Sequence, residues 1–308
     1  MGLLPVFLNF AILISKAMKN IYYMFVALFL VIGLGSCSSD ENEMEAEDTY
    51  QLNFRVINYE QISLISRSRA TTDAKEPHYA MAIYDAQTNK LVGSPVIHPS
   101  GSKDPGTFSA SLTKGTYNII FLAYYTDKAL IPEDPTAIQW DAQVVSNTYH
   151  GGVNITIDED TGPQQEIMLY RAVGVFTMNS SGTAVPKNFD HFRIEMQGGS
   201  HQLNALTGFA GQDVTRNYTY NSQSSYAGKT EISQSCYAFL PQEECEVDIV
   251  MIAEDKDNKT IRKRTFSKVP MKLNQMTRYA GNFFNETVKS DISVKLDEKE
   301  WEYVDVNF

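Results

Sequence analysis

The 308-residue sequence predicts an all-β protein, and three observations carry that expectation. Short runs of alternating apolar and polar residues recur along the chain, bounded by turn residues. Aromatic residues make up 11% of it, nearly all Tyr and Phe, and join many Val, Ile and Thr, the types that suit a pleated surface. No segment holds a 3.6-residue apolar period over helical length. The length suits two ordinary domains or one large all-β domain, and 43% apolar residues can fill a sizeable core.

Taken in order, "QLNFRVI" sets Leu52, Phe54 and Val56 on one face and Gln51, Asn53 and Arg55 on the other. "YAMAIYDAQTNKLVG" reads as two strands joined at 85–89. "GTFSASLTKGTYNIIFLAYY" reads as a short strand, a turn at Lys114 and Gly115, and a long core strand over 117–125. "IPEDPTAIQWDAQ", with two prolines, reads as loop with one helical turn. "GVNITID" and "QEIMLYRAVGVFTMN" are strands again, separated by the turn-rich "EDTGPQ". From Arg171 onward "RAVGVFTM", "FDHFRIEMQG", "VTRNYTYNS", "SCYAFLP", "ECEVDIVMIAEDKDNKTIRKRTFSKV" and "TRYAGNFFN" repeat the pattern. This spacing predicts two β-sandwiches, 50–170 and 171–308, although no Pro/Gly-rich linker marks the boundary.

Ahead of the strands, residues 1–36 carry only two charges, Lys16 and Lys19. Two readings compete: a retained membrane span, or a secretory signal with translation starting at Met18. In the second, "MKN" is the positive n-region, 21–32 the apolar h-region, and Leu34, Gly35 and Ser36 the small-residue cleavage zone before Cys37. That order resembles a bacterial lipobox, with cleavage between Ser36 and Cys37. The Cys37 thiol is then the acylation nucleophile, and two or more acyl chains give a stable anchor where one is marginal. Residues 37–49 follow as a tether, with six carboxylates among the nine residues from Asp40 to Asp48. Such a run stays solvated and self-repelling.

Several chemistries lack their residues. The formal charge is −11, from 26 basic and 37 acidic residues, and no basic stripe with interleaved aromatics suggests a nucleic-acid partner. His78, His98, His150, His191 and His201 are scattered without metal-ligand spacing, and no CxxC pair exists, so no metal or other cofactor is expected. "YHGGV" reads as a tight turn, without a GxSxG nucleophile to serve it. "EDKDNKT" has calcium-like alternation but no loop glycine or distal glutamate, and reads as a hairpin turn. No residues support catalysis. Cys236 and Cys245 flank "YAFLPQEE"; a turn at Leu240 and Pro241 would face them across a hairpin, where they form a disulfide or remain two thiols.

The lipobox and acidic tether, the "LTKGTYNIIFLAYY" strand, "MLYRAVGVFTM" and "VPMKLNQMTRYAGNFF" before a final tryptophan strand together resemble the FimB/Mfa-type fimbrial lipoproteins of Bacteroidales-type (type V) fimbriae. The resemblance runs from Cys37 to the end of the chain and rests on order and spacing, since each motif is short. It implies two tandem transthyretin-like β-sandwiches, an outer-membrane surface location with the acidic run as export label, and partnership with other fimbrial subunits by donor-strand exchange. In polymerising members an Arg-specific protease removes the first strand, and a neighbour's strand fills the groove. Arg67 and Arg69 in "SLISRSRATTDAKEP" stand where such a cut would fall, or belong to an ordinary solvated loop. The tail "DISVKLDEKEWEYVDVNF" reads as a donor strand or as the last strand of its own sandwich. A monomeric surface lipoprotein binding a glycan or a protein is the alternative, with Trp140, Trp301 or exposed tyrosines as a stacking platform.

Overall fold

The expected alternation in "QLNFRVI" becomes β1 (Thr49–Tyr59), with Leu52 and Phe54 buried and Gln51, Asn53 and Arg55 exposed. In this computed structural model the described residues are 48–59, 76–285 and 303–307, with side chains described over 48–57 and 76–285. Cys37, Ser36, Arg67, Arg69 and Trp301 lie outside them. The first half continues with β2 (His78–Asp85), β3 (Val96–His98), β4 (Thr107–Thr113), β5 (Gly115–Tyr124), β6 (Leu130–Ile131), β7 (Gln139–Trp140), β8 (Thr148–Ile157) and β9 (Gln164–Arg171). Where one helical turn is expected, Asp141–Gln143 form a tight turn with Ala142 and Gln143 at φ 56° and 54°, which is not right-handed helix. No α-helix occurs among the described residues.

Seven strands form one sheet in the order β3-β2-β5-β8-β9-β1-β4. β9 joins β8 only through Tyr149↔Arg171 and His150↔Tyr170, and joins β1 over its earlier residues. The sheet therefore folds over at that corner, and β2, β5 and β8 face β1, β4 and β9 across one core. Leu52, Phe54, Met81, Phe108, Phe121 and Leu169 fill it.

The second half holds β10 (Val173–Ser181), β11 (His191–Gln197), β12 (Leu203–Asn204), β13 (Phe209–Ala210), β14 (Thr215–Thr219), β15 (Glu231–Phe239), β16 (Glu244–Glu254), β17 (Thr260–Lys272), β18 (Met276–Gly281) and β19 (Tyr303–Asn307). Two four-stranded sheets, β15-β10-β18-β19 and β14-β11-β16-β17, enclose a second core around Phe176, Met178, Phe192, Met251, Phe266 and Tyr279. The alternating tail ends in β19, which pairs in parallel with β18 of its own chain.

β9 passes to β10 through Ala172 alone, which is why no linker composition marks the boundary. β2 and β5 are buried on both faces, so they read as near-continuous apolar runs rather than alternating ones. Their second face, with Ala82, Tyr84, Ile120, Leu122 and Tyr124, packs into a third core with Trp140, Val173, Leu203 and Phe239. Trp140 is 1% exposed, lies stacked 6.0 Å from Phe239 and meets Tyr124 edge-on at 5.2 Å. Each such fully buried large side chain contributes on the order of 2–3 kcal/mol. Trp140 therefore welds the halves together, and the expectation of a stacking platform at this residue is corrected.

Two further expectations change. Cys236 and Cys245 are both free thiols. The chain does not turn back within one sheet at Leu240 and Pro241 but crosses between layers, so β15 and β16 lie in opposite sheets. Cys236 instead takes a hydrogen bond from buried Arg216, while the Cys245 sulfur faces the Gly198 carbonyl at 3.9 Å. Burial pushes both thiols up, against the opposing pull of Arg216 at Cys236. "YHGGV" is strand, not turn: a Cβ at Gly151 would stand 2.4 Å from the Met168 carbonyl oxygen, so glycine permits the close crossing of β8 and β9. The "EDKDNKT" turn does form, with Asp255 accepting from the amides of Asp257 and Lys259 and Asn258 at φ 60°.

Candidate assembly groove

β1 is the first described strand, yet it occupies the middle of its layer. It runs antiparallel to β4 from Thr49↔Thr113 to Arg55↔Thr107, and parallel to β9 from Asn53↔Gln164 to Tyr59↔Leu169. The β9 ladder shifts between Val56 and Asn58, a local irregularity of the bulge type. Asn53 N–H donates to the Pro163 carbonyl at 2.7 Å and Val56 N–H to the Gly106 carbonyl at 2.8 Å. A Cβ at Gly106 would sit 3.3 Å from Val56 Cβ, a tight contact that glycine avoids. Ser111 donates from its hydroxyl to Gln51 Oε1 at 2.6 Å on the outer face.

On the inner face Phe54 packs against Phe121 with ring centroids 5.2 Å apart, and Phe108 meets the same ring at 5.6 Å. Leu52 and Phe54 are each 1% exposed. Without β1, the layer would present two facing rows of unpaired backbone groups, on β4 and β9, over a trough floored by Phe108, Leu112, Phe121 and Leu169. That is the geometry an eleven-residue extended segment fills, pairing with β4 over its first seven residues and with β9 over its last seven.

Next to the C-terminal end of β1 lies a cavity of about 340 Å³ at the corner between β8 and β9, also bordered by Phe209 and Leu273 of the second half. Tyr170 and Met168 stand at its mouth, 67% and 44% exposed, and the Tyr170 hydroxyl contacts the Met168 sulfur at 2.8 Å. His150 donates from Nε2 to the Ala205 carbonyl, and burial pulls its pKa down. Arg171 is the latch below. Its guanidinium donates to Asn147 at 2.8 Å, to Asn274 of the second half and to the Tyr149 hydroxyl, and it lies 4.7 Å from the Tyr149 ring centroid. Burial lowers its pKa to about 10.

Sequence reading did not single out Arg171 as a buried contact between the two halves. Its signal is an arginine at an inward position of an alternating strand, between buried Leu169 and Val173. Three of the histidines have partners of other kinds: His78 stacks on Tyr124, His98 on Phe108, and His191 lies between Asp190 and Glu254 at 3.0 and 3.2 Å.

Residues 42–303 match the family of unknown function DUF6562. No curated protein matches the sequence. Among solved structures, a candidate adhesin from Bacteroides ovatus ATCC 8483 is 11% identical over 76% of this chain and 87% of its own, with a TM-score of 0.47. The fimbrial anchor protein Mfa2 from Porphyromonas gingivalis is 11% identical over 70% and 82%, at 0.39. A fimbrial assembly protein from Parabacteroides distasonis ATCC 8503 is 11% identical over 77% and 92%, also at 0.39. With its family profile spanning most of the sequence, the chain belongs to the family of unknown function DUF6562.

Proposed function

We propose that this protein is a cell-surface fimbrial subunit, held to the outer membrane through lipidated Cys37 and assembling with other subunits by strand exchange. The placement of β1 carries the reading: an N-terminal strand inserted between β4 and β9, with buried anchors at Leu52 and Phe54. A single cut after Arg67 or Arg69 would leave β1 attached to the body by noncovalent contacts alone. The emptied groove then takes a strand from a neighbouring subunit, and adhesion follows from the assembled fibre. A subunit that keeps Cys37 and β1 serves as the anchor. No step requires catalysis by this chain.

Exposed Tyr170 and Met168 beside the cavity favour a second reading, a monomeric surface lipoprotein that binds a glycan or protein there. Surface extraction in SDS without boiling separates the two. Strand-exchanged assembly gives an SDS-resistant ladder containing other fimbrial subunits. A strictly monomeric lipoprotein that binds a defined sugar rejects the fimbrial reading.

A further inference from the structure

We propose that the outer edge of β4 is a self-docking edge, at which two copies of this chain pair antiparallel about Ala110. Among the described residues β4 ends its sheet and pairs with β1 alone. Exposed edges invite pairing with other chains, and proteins block them with bulges, prolines, charges, inward-pointing charges or short strands. Apart from β19, whose side chains lie outside the description, the other outer edges here carry such devices.

The devices can be named. β17 holds Lys268 at φ 53°, where its ladder with β16 shifts register, and places Pro270, which has no N–H, two residues later. β14 turns Arg216 inward, 1% exposed. On β15 the carbonyls of Ser233 and Ser235 accept from the hydroxyls of Tyr226 at 3.2 Å and Tyr220 at 2.6 Å. β3 is three residues long. β4 has seven residues without a charge, a proline, a bulge or a left-handed φ.

Its sequence, TFSASLT, reads almost the same in both directions. Antiparallel pairing about Ala110 sets Thr107 against Thr113 of the other copy, Phe108 against Leu112 and Ser109 against Ser111, with Ala110 against itself. Phe108 and Leu112 are already buried in their own core, with His98 stacked on Phe108, so the contact is carried by the backbone ladder and by exposed Ser109 and Ser111, hydroxyl against hydroxyl. A two-fold contact needs this self-complementarity. The formal charge of −11 opposes self-association, and an uncharged strand removes the local part of that repulsion. The contact is only about 24 Å long, so the dimer is weak and reversible.

The test is sedimentation velocity of the full chain in detergent. The native chain is expected to show a reversible dimer. Ser109→Glu with Ser111→Glu puts like charges at both Ser109–Ser111 contacts and is expected to weaken dimerisation about tenfold, or 1.4 kcal/mol. Ser109→Lys with Ser111→Glu puts opposite charges at the same two contacts and is expected to restore it. Both positions are exposed and both variants lose the Ser111–Gln51 hydrogen bond alike, so thermal melting serves as the folding control and is expected to match between the two variants. A native monomer, a dimer indifferent to both pairs of substitutions, or a Lys/Glu variant no better than the Glu/Glu one would overturn the proposal.

Discussion

The two halves of the chain use similar sandwiches but treat their strands in opposite ways. In the second half the edges of β14, β15 and β17 are blocked by an inward arginine, tyrosine hydroxyls, a bulge and a proline. In the first half the first described strand lies inserted in the middle of a layer, and β4 beside it pairs with no other strand among the described residues. The difference is one of strand placement: a half whose edges at β14, β15 and β17 carry blocking devices is fused through a third core to a half whose first described strand sits inside a layer.

That comparison can be broken at its largest contact first. Phe54→Ala is expected to cost about 3–5 kcal/mol. Hydrogen exchange should show protection lost in β4 and β9 before β10 and β15; equal loss in both halves would mean that β1 is not separable from the rest. Arg171→Leu leaves Asn147, Asn274 and Tyr149 without their charged donor and is expected to cost about 2–3 kcal/mol. Denaturant unfolding should then split into two transitions as the halves uncouple, whereas a single transition would assign the coupling to the third core alone.

The next effect is pH-dependent. Burial lowers the pKa of His150 and His201 in the folded protein, so the unfolded chain binds more protons as the solution is acidified. Their stabilising contribution is complete above the unfolded value of about 6.5 and falls as pH drops below it. His150→Gln should flatten the melting temperature between neutral pH and mildly acid pH, and an unchanged slope would remove His150 from the account. The smallest effect concerns the guarded edge. Tyr220→Phe removes one of the two donors to the Ser235 carbonyl, leaving Gln234 Nε2 at 3.0 Å, and is expected to cost about 1 kcal/mol or less while raising the aggregation rate of the folded protein.

Much of the fold is legible in single stretches of sequence because it rests on local alternation. Leu52, Phe54 and the "GTYNIIFLAYY" run fall where their patterns place them. What stayed hidden depends on distant partners. Nothing near Trp140 announces Phe239, and nothing near β1 announces its parallel alignment with β9 more than a hundred residues away. Gly151 looks like turn chemistry because glycine's tolerance of turns and its tolerance of close backbone approach are identical in sequence. Cys236 and Cys245 lie close along the chain, yet a layer crossing separates them where a hairpin would have joined them. The amphipathic strand that becomes β1 was legible in its alternation; its two-sided ladder was not.

The central claim is that β1 is exchangeable once the chain is cut. Limited digestion of the folded protein with an arginine-specific protease, followed by N-terminal sequencing and unboiled SDS electrophoresis, tests it directly. The account predicts a body beginning at Ser68 or Ala70, release of the fragment that carries β1, and SDS-resistant multimers that appear only after cleavage. A cut protein that retains its β1 fragment and stays monomeric would contradict it.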